Sequence, residues 1–237
     1  MKTAALVAMA FSLVIAGPGL LSAQTGAGQA GLRGTVIAQP VAASDFTLTD
    51  QTGSAFRMST TRGKVVVLSF IYTHCADVCP YISVKLRSAL SALGADAKGV
   101  VFVAITTDPK RDTLPVIARY SREMGLYDSW HFLTGGADEV KKVWSAYGVG
   151  VHVVTSADLD QSGSGDMSMM AMHHDEGLSS SDKQLVMNVI RDFAGGYEVT
   201  HSAPFWFVDK AGKVRAIMNA DATPDDIVAD ARMLLRE

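Results

Sequence analysis

Cys75 and Cys79 are the only cysteines among 237 residues, and both stand in the stretch Ser69-Phe-Ile-Tyr-Thr-His-Cys-Ala-Asp-Val-Cys-Pro80. Sulfur used so sparingly and placed so close together reads as chemistry rather than stapling. A structural disulfide here would close a very small loop and remove little entropy from the unfolded chain. A dithiol that cycles with its disulfide is a second reading, although the best-known redox motif has two intervening residues and this one has three. A soft-metal site is the third, because paired thiolates suit Cu(I) or zinc. In a continuous helix the Cβ atoms of residues i and i+4 lie about 5–6 Å apart, whereas a disulfide needs about 3.5–4.5 Å. A non-helical loop ahead of Pro80 serves both states better. Proline suits the first position of a helix. That makes Cys79 the cap and predicts that the helix dipole favours its thiolate.

Two ligands from one loop are seldom enough for a metal, and the chain offers six histidines. His74 adjoins Cys75 but points away from it if strand geometry continues. His131 opens a short apolar strand and reads as structural. His152 lies in a strand pattern and fits either role. His173 and His174 sit in a long loop. His201 stands just ahead of the apolar run Phe205 to Val208. In a thioredoxin-like α/β fold the turn before that strand faces the cysteine loop, which ranks His201 first.

The elements around these residues follow from hydrophobic patterning. Gly34 to Pro40 and Asp45 to Asp50 read as strands. Val65 to Ile71 is apolar with almost no alternation, the pattern of a strand covered on both faces. A helix follows from Tyr81 to Leu93. Val100 to Thr106 predicts a second buried strand, and Asp112 to Met124 a helix. Then come a strand at Trp130 to Leu133, a helix at Ala137 to Tyr147 and a strand at Val149 to Thr155. Lys183 to Phe193 has helical spacing and stops at Gly195-Gly196. Phe205 to Val208 and Val214 to Met218 form a hairpin, and Thr223-Pro224 starts a last helix ending near Arg236. Strands alternating with helices predict an α/β fold, with a central mixed, mostly parallel sheet flanked by helices.

Nearly half the residues are apolar, 19% are charged, and the formal charge is −3. That supports one substantial core and argues against a nucleic-acid partner. Lys2, the apolar run Ala4 to Ile15, the break at Gly17-Pro18-Gly19 and the site Leu21-Ser22-Ala23 have the grammar of a signal peptide over 1–23. The alternative is an uncleaved anchor, for which the run is short against the ~20 residues of a full span. Either reading puts the body of the chain in the periplasm or on the outer face of the inner membrane. That compartment is oxidising, and thiols there need a reductant. Residues 24–40 read as a linker and 41–237 as the domain, with an insertion at about 156–196.

Within that insertion, Asp166-Met-Ser-Met-Met-Ala-Met-His-His-Asp-Glu176 packs four methionines and two histidines into eleven residues. Met167, Met169, Met170, Met172, His173 and His174 are copper-type ligands. They are equally the makings of a Met-rich surface that packs on a partner.

Three motifs together resemble the Sco/SenC family of thioredoxin-fold copper proteins. They are Tyr72-Thr-His-Cys-Ala-Asp-Val-Cys-Pro80, Thr107-Asp-Pro-Lys-Arg-Asp-Thr113, and His201-Ser-Ala ahead of a strand ending at Asp209. The resemblance implies a thioredoxin-like fold and a copper site of Cys75, Cys79 and His201. It implies a chaperone that delivers copper to the copper centre of cytochrome c oxidase. Its partners would be the oxidase subunit carrying that centre, a thiol reductant and other copper chaperones. Asp77 matches the acidic residue between the family's cysteines and is not a ligand. Asp108 and Arg111 shape the loop beside the site, or serve as a turn and a helix cap. Ala76 stands where the family usually has proline, and the connection from Val149 to Thr200 is longer than the family needs. Pro204 leaves two readings, a cis peptide beside the site or a strand edge. The alternative function is a thiol–disulfide oxidoreductase that reduces the cysteines of a copper-accepting partner, with Cys75 attacking and Cys79 resolving. A thiol peroxidase is weaker, since no peroxidatic environment surrounds either cysteine.

Overall fold

Every residue of Val65–Ile71 is buried, and the reason is visible in how its side chains divide. Val65, Val67 and Ile71 enter one hydrophobic core and Val66, Leu68 and Phe70 the other. The alternation of a strand sends neighbours to opposite faces, so a run apolar at nearly every position needs a cover on both. The structure is a computed structural model and describes residues 31–154 and 175–237.

In chain order the strands and helices are β1 (Thr35–Ala42), β2 (Thr47–Thr49), β3 (Ala55–Arg57), β4 (Val65–Ile71), α1 (Val78–Leu93), β5 (Val100–Thr106), α2 (Leu114–Glu123), β6 (His131–Leu133), α3 (Ala137–Ala146), β7 (Val151–Val154), α4 (Ser180–Phe193), β8 (Glu198–His201), β9 (Phe205–Val208), β10 (Lys213–Met218) and α5 (Pro224–Arg236). Six strands form the central sheet in the order β1-β10-β9-β4-β5-β6, and β2-β3 and β7-β8 are separate ribbons. Helices α1, α2, α4 and α5 supply Ile82, Tyr120, Phe193 and Ile227 to one core. Val140 and Val143 of α3 join the other, with Leu48 and Phe56 of the β2-β3 ribbon.

The α/β class and the mixed sheet are as expected. The parallel share is smaller than expected. β4-β5 and β5-β6 are parallel, whereas β4-β9, β9-β10 and β10-β1 are antiparallel. The tight turn between β9 and β10 forces that pair to be antiparallel, and β1 adds to its outer edge in the same sense. β1 also begins inside the stretch read as linker, so the compact unit starts at Leu32.

Helix α1 begins at Val78 with Asp77 as its cap, and Asp77 makes no side-chain capping hydrogen bond. Cys79 is therefore inside the first turn and not its cap, which corrects the expectation from Pro80. Proline is tolerated throughout the first turn, because the N–H groups there have no intrahelical acceptor. All peptide bonds among the described residues are trans. Pro204 is thus a strand-edge residue, and its carbonyl accepts from Ser69 Oγ at 3.1 Å.

Strand β8 has no counterpart in the sequence reading. It pairs antiparallel with β7, with Val151 opposite His201 and His152 opposite Thr200. The segment that carries His201 is thus a strand of a ribbon outside the central sheet, not a bare turn. Residues 1–23 and the Met/His cluster at 167–174 lie outside the described residues. No helix among the described residues is long and apolar enough to cross a membrane.

Candidate metal centre

The cysteine loop starts where β4 ends and finishes in the first turn of α1. Both cysteines are thiols and both are buried, Cys75 to 4% exposure and Cys79 to 0%. Their surroundings differ. Hydrogen bonding from Cys79, reinforced by the backbone N–H groups of Cys79 and Asp77, holds the Cys75 thiol below its ordinary range. The Asp77 N–H lies 3.4 Å from Cys75 Sγ. Burial pushes the Cys79 thiol well up, and its interaction with Cys75 adds to this. The expectation that the helix dipole favours a Cys79 thiolate is reversed, because desolvation outweighs it at a fully buried sulfur.

His201 ends β8 and brings its ring to the thiols. Its Nε2 is 3.8 Å from Cys79 Sγ, and its Nδ1 is 2.9 Å from the carbonyl of Ser202. A carbonyl can only accept, so Nδ1 carries the proton and Nε2 presents its lone pair towards the sulfur. Burial lowers the pKa of the ring and keeps it neutral. Sulfur and nitrogen bound to one ion at about 2.0–2.3 Å, with trigonal or tetrahedral angles, stand roughly 3.5–3.8 Å apart. The pair thus has a separation a shared ion accepts. Among the described residues no group of three or more His, Cys, Asp or Glu side chains is placed to hold a metal ion.

The other histidines lie elsewhere. His74 Nδ1 meets Thr73 Oγ1 at 2.8 Å. His131 bonds Asp50 at 3.1 Å and packs on Phe56, the structural role read for it. His152 alternates to the opposite face of the ribbon from His201. His173 and His174 are outside the described residues. Asp77 occupies the cap position of α1.

Several residues that hold the site together were not singled out for that role in the sequence. Tyr72, at the end of β4, donates to Glu198 Oε2 at 2.8 Å and accepts from Val199 N–H at 3.3 Å. Its ring meets that of His201 edge-on at 5.8 Å. Asp112 is fully buried under the loop. It accepts from Thr73 Oγ1 and Thr106 Oγ1, each at 2.6 Å, and from the Thr73 N–H at 3.2 Å. Burial pushes its carboxyl up to about 7. Asp108 pairs with Arg111 and accepts from Tyr197 OH at 2.7 Å. The second motif therefore reaches the segment ahead of His201 as well as its own turn, where Asp108 O accepts from the Arg111 and Asp112 N–H groups. Strand β8 has weak alternation and follows two glycines, so only the Tyr-Glu-Val-Thr-His composition could have signalled it.

A dithiol at a strand–helix junction, met by an imidazole from a separate ribbon, defines a thioredoxin-like protein with a redox or soft-metal site. The chain belongs to the SCO1/SenC family, whose model matches residues 35–185. That match includes Cys75, Cys79 and the motif from Thr107 to Thr113, and it ends before His201. The structure is similar to that of Bradyrhizobium japonicum ScoI with copper bound, with a TM-score of 0.61 and 27% identity over 82% of this chain and 100% of that one. It is equally similar to apo Sco1 from Thermus thermophilus, with a TM-score of 0.60 and 27% identity over 85% of this chain and 96% of that one. In sequence it is 32% identical over 116 residues to a SCO2-like protein of Rickettsia prowazekii, covering 49% of this chain and 56% of the relative. It is 35% identical over 111 residues to the mitochondrial SCO2 homologue of Bos taurus, covering 46% and 41%. The chain spans about half the length of the curated relatives it matches.

Proposed function

We propose that this chain carries copper, held by Cys75, Cys79 and His201, and delivers it to the copper centre of cytochrome c oxidase. The single observation that carries this reading is the Nε2 lone pair of His201 directed at Cys79 Sγ from 3.8 Å. Two thiolates and one neutral imidazole are a soft donor set of three, which suits Cu(I) and leaves room for an acceptor's ligand during exchange. Binding requires the thiolates, so it releases protons and is lost when the pair oxidises. The family resemblance supports as partners the oxidase subunit with the copper centre, a thiol reductant and other copper chaperones. The N-terminal segment supports a place in the periplasm or on the outer face of the inner membrane. Copper stoichiometry and absorption of the reduced protein test the site. Wild type should bind one ion at this site, Cys75→Ser should lose it, and His201→Ala should hold it at least about tenfold more weakly. An unchanged affinity in His201→Ala would remove His201 from the ligand set.

The thiol asymmetry favours a second activity on the same residues. A Cys75 thiolate attacks a partner's disulfide, forming a mixed disulfide and releasing one partner thiol. Cys79, deprotonated as it reacts, attacks Cys75 sulfur and releases the second. The partner gains two electrons and two protons, and this chain is left with the Cys75–Cys79 disulfide. His201→Ala should spare this exchange while impairing copper retention.

The residues Met167, Met169, Met170, Met172, His173 and His174 are proposed, on composition, as a second and weaker copper-collecting site. Replacing all six should lower the copper bound per chain. Unchanged stoichiometry and affinity sinks that proposal.

A further inference from the structure

The ribbon that carries His201 does not belong to the central sheet, and the segment leading into β8 is held by one side chain of the second motif. Arg111 Nη1 donates to the carbonyl of Gly195 at 2.8 Å. Its guanidinium carbon lies 3.7 Å from the ring centre of Tyr197 and 5.6 Å from that of Tyr72. Its Nε pairs with Asp108, which also receives the Tyr197 hydroxyl. Gly195 and Tyr197 lead into β8 and His201, and Tyr72 leads into the cysteine loop. One guanidinium thus touches both halves of the site.

The fit is close. Gly196 has φ +82°, and a Cβ there would meet Arg111 Nη1 at 3.1 Å. Arg111 Nη2 and Thr107 Oγ1 are buried with no hydrogen-bond partner among the described residues. An unpaired buried donor is destabilising. A side chain needed only to finish a turn would turn that nitrogen out to water.

We propose that Arg111 is the positioning residue for His201. Its guanidinium, over the Tyr197 ring and within cation–π range of the Tyr72 ring, sets the distance from the imidazole to the thiols and so how firmly the copper cargo is held. The inference rests on the reading of Cys75, Cys79 and His201 as the ligands. Lysine cannot replace it, because a compact ammonium does not stack flat on a ring while donating sideways to a carbonyl.

A double-mutant cycle tests this on the reduced full chain. Cu(I) affinity is measured against a chromophoric chelator for wild type, Arg111→Lys, His201→Ala and the double variant. Thermal unfolding and the dithiol–disulfide midpoint in glutathione buffer are measured in parallel. His201→Ala should weaken Cu(I) binding by about tenfold or more, and Arg111→Lys by about tenfold in the His201 background. With Ala at 201, Arg111→Lys should cost less than about twofold. The dithiol midpoint should not move with Arg111→Lys. An equal loss in both backgrounds, or no loss with His201 present, overturns the positioning role and leaves the ligand reading standing. An unchanged affinity of His201→Ala overturns the ligand reading itself. Should Arg111→Lys not fold, Tyr197→Phe takes its place in the cycle, since it removes only the hydroxyl bond to Asp108. A loss of about twofold that vanishes with Ala at 201 is then expected, and its absence overturns the proposal.

Discussion

Tyr72 and Glu198 are joined by a 2.8 Å hydrogen bond between the end of the central strand β4 and the start of β8. The same phenol oxygen accepts from the Val199 N–H at 3.3 Å. Tyr72→Phe would leave that buried N–H without its acceptor and Glu198 without its donor. The expected cost is about 1–3 kcal/mol, read as a lower urea midpoint with an unchanged m-value. Copper retention should fall with it, because the ribbon holding His201 is released at its first residue.

Gly196 makes a second test of the ribbon. Its φ of +82° suits glycine, and Arg111 Nη1 fills the space a side chain would need. Gly196→Ala should cost about 1–2 kcal/mol from the backbone alone. It should also displace Arg111, so the variant should lose copper more readily than its stability loss implies. Chelator competition at a temperature well below unfolding separates the two effects.

The thiols should differ in reactivity. Cys75 is held low chiefly by hydrogen bonding from Cys79, and burial pushes Cys79 up. Alkylation of the reduced protein should therefore modify Cys75 first, with a pH midpoint below that of an ordinary cysteine. Cys79→Ala should move that midpoint upward. Peptide mapping after brief iodoacetamide treatment reads this directly, and modification of Cys79 ahead of Cys75 would contradict the assigned order.

Asp112 predicts a pH dependence of stability. Burial raises its carboxyl to about 7, whereas an unfolded aspartate titrates near about 3.9. Between those values the folded chain holds more protons than the unfolded one. The contribution of Asp112 to stability is therefore full below that window and falls as pH rises through it. Asp112→Asn should flatten this dependence, since the amide oxygen still accepts from Thr73 and the amide nitrogen faces the Thr106 hydroxyl. Thermal unfolding of both proteins across the window checks it, and parallel profiles would show that Asp112 does not carry the proton.

The strands β4 and β5 were legible to the residue, because an unbroken apolar run bounded by polar turns has one comfortable place in an α/β sheet. The cysteine loop was legible from composition. Helix α1 was misjudged by a few positions, since proline is compatible with the whole first turn. Strand β8 was missed because its partner β7 is distant in sequence and its short run alternates weakly. The placement of His201 beside Cys79 was legible from its position ahead of β9, without the strand that carries it. Asp112 read as an ordinary helix-start residue, and nothing local announces that it is buried under the loop. The contacts of Arg111 with Tyr72 and Tyr197 join three parts of the chain and become visible only when those parts meet.

The β7-β8 ribbon has a further consequence. Two paired strands outside a larger sheet form a local unit of low stability, while β4 is buried on both faces. Amide hydrogens of β8 should exchange through opening of the ribbon, and those of β4 only through global unfolding. A ligand that binds His201 together with the thiols binds only the closed ribbon, so it stabilises that local unit by mass action. The exchange rate of the β8 amides, relative to β4 in the same molecule, is then an internal gauge of how much of the protein is loaded.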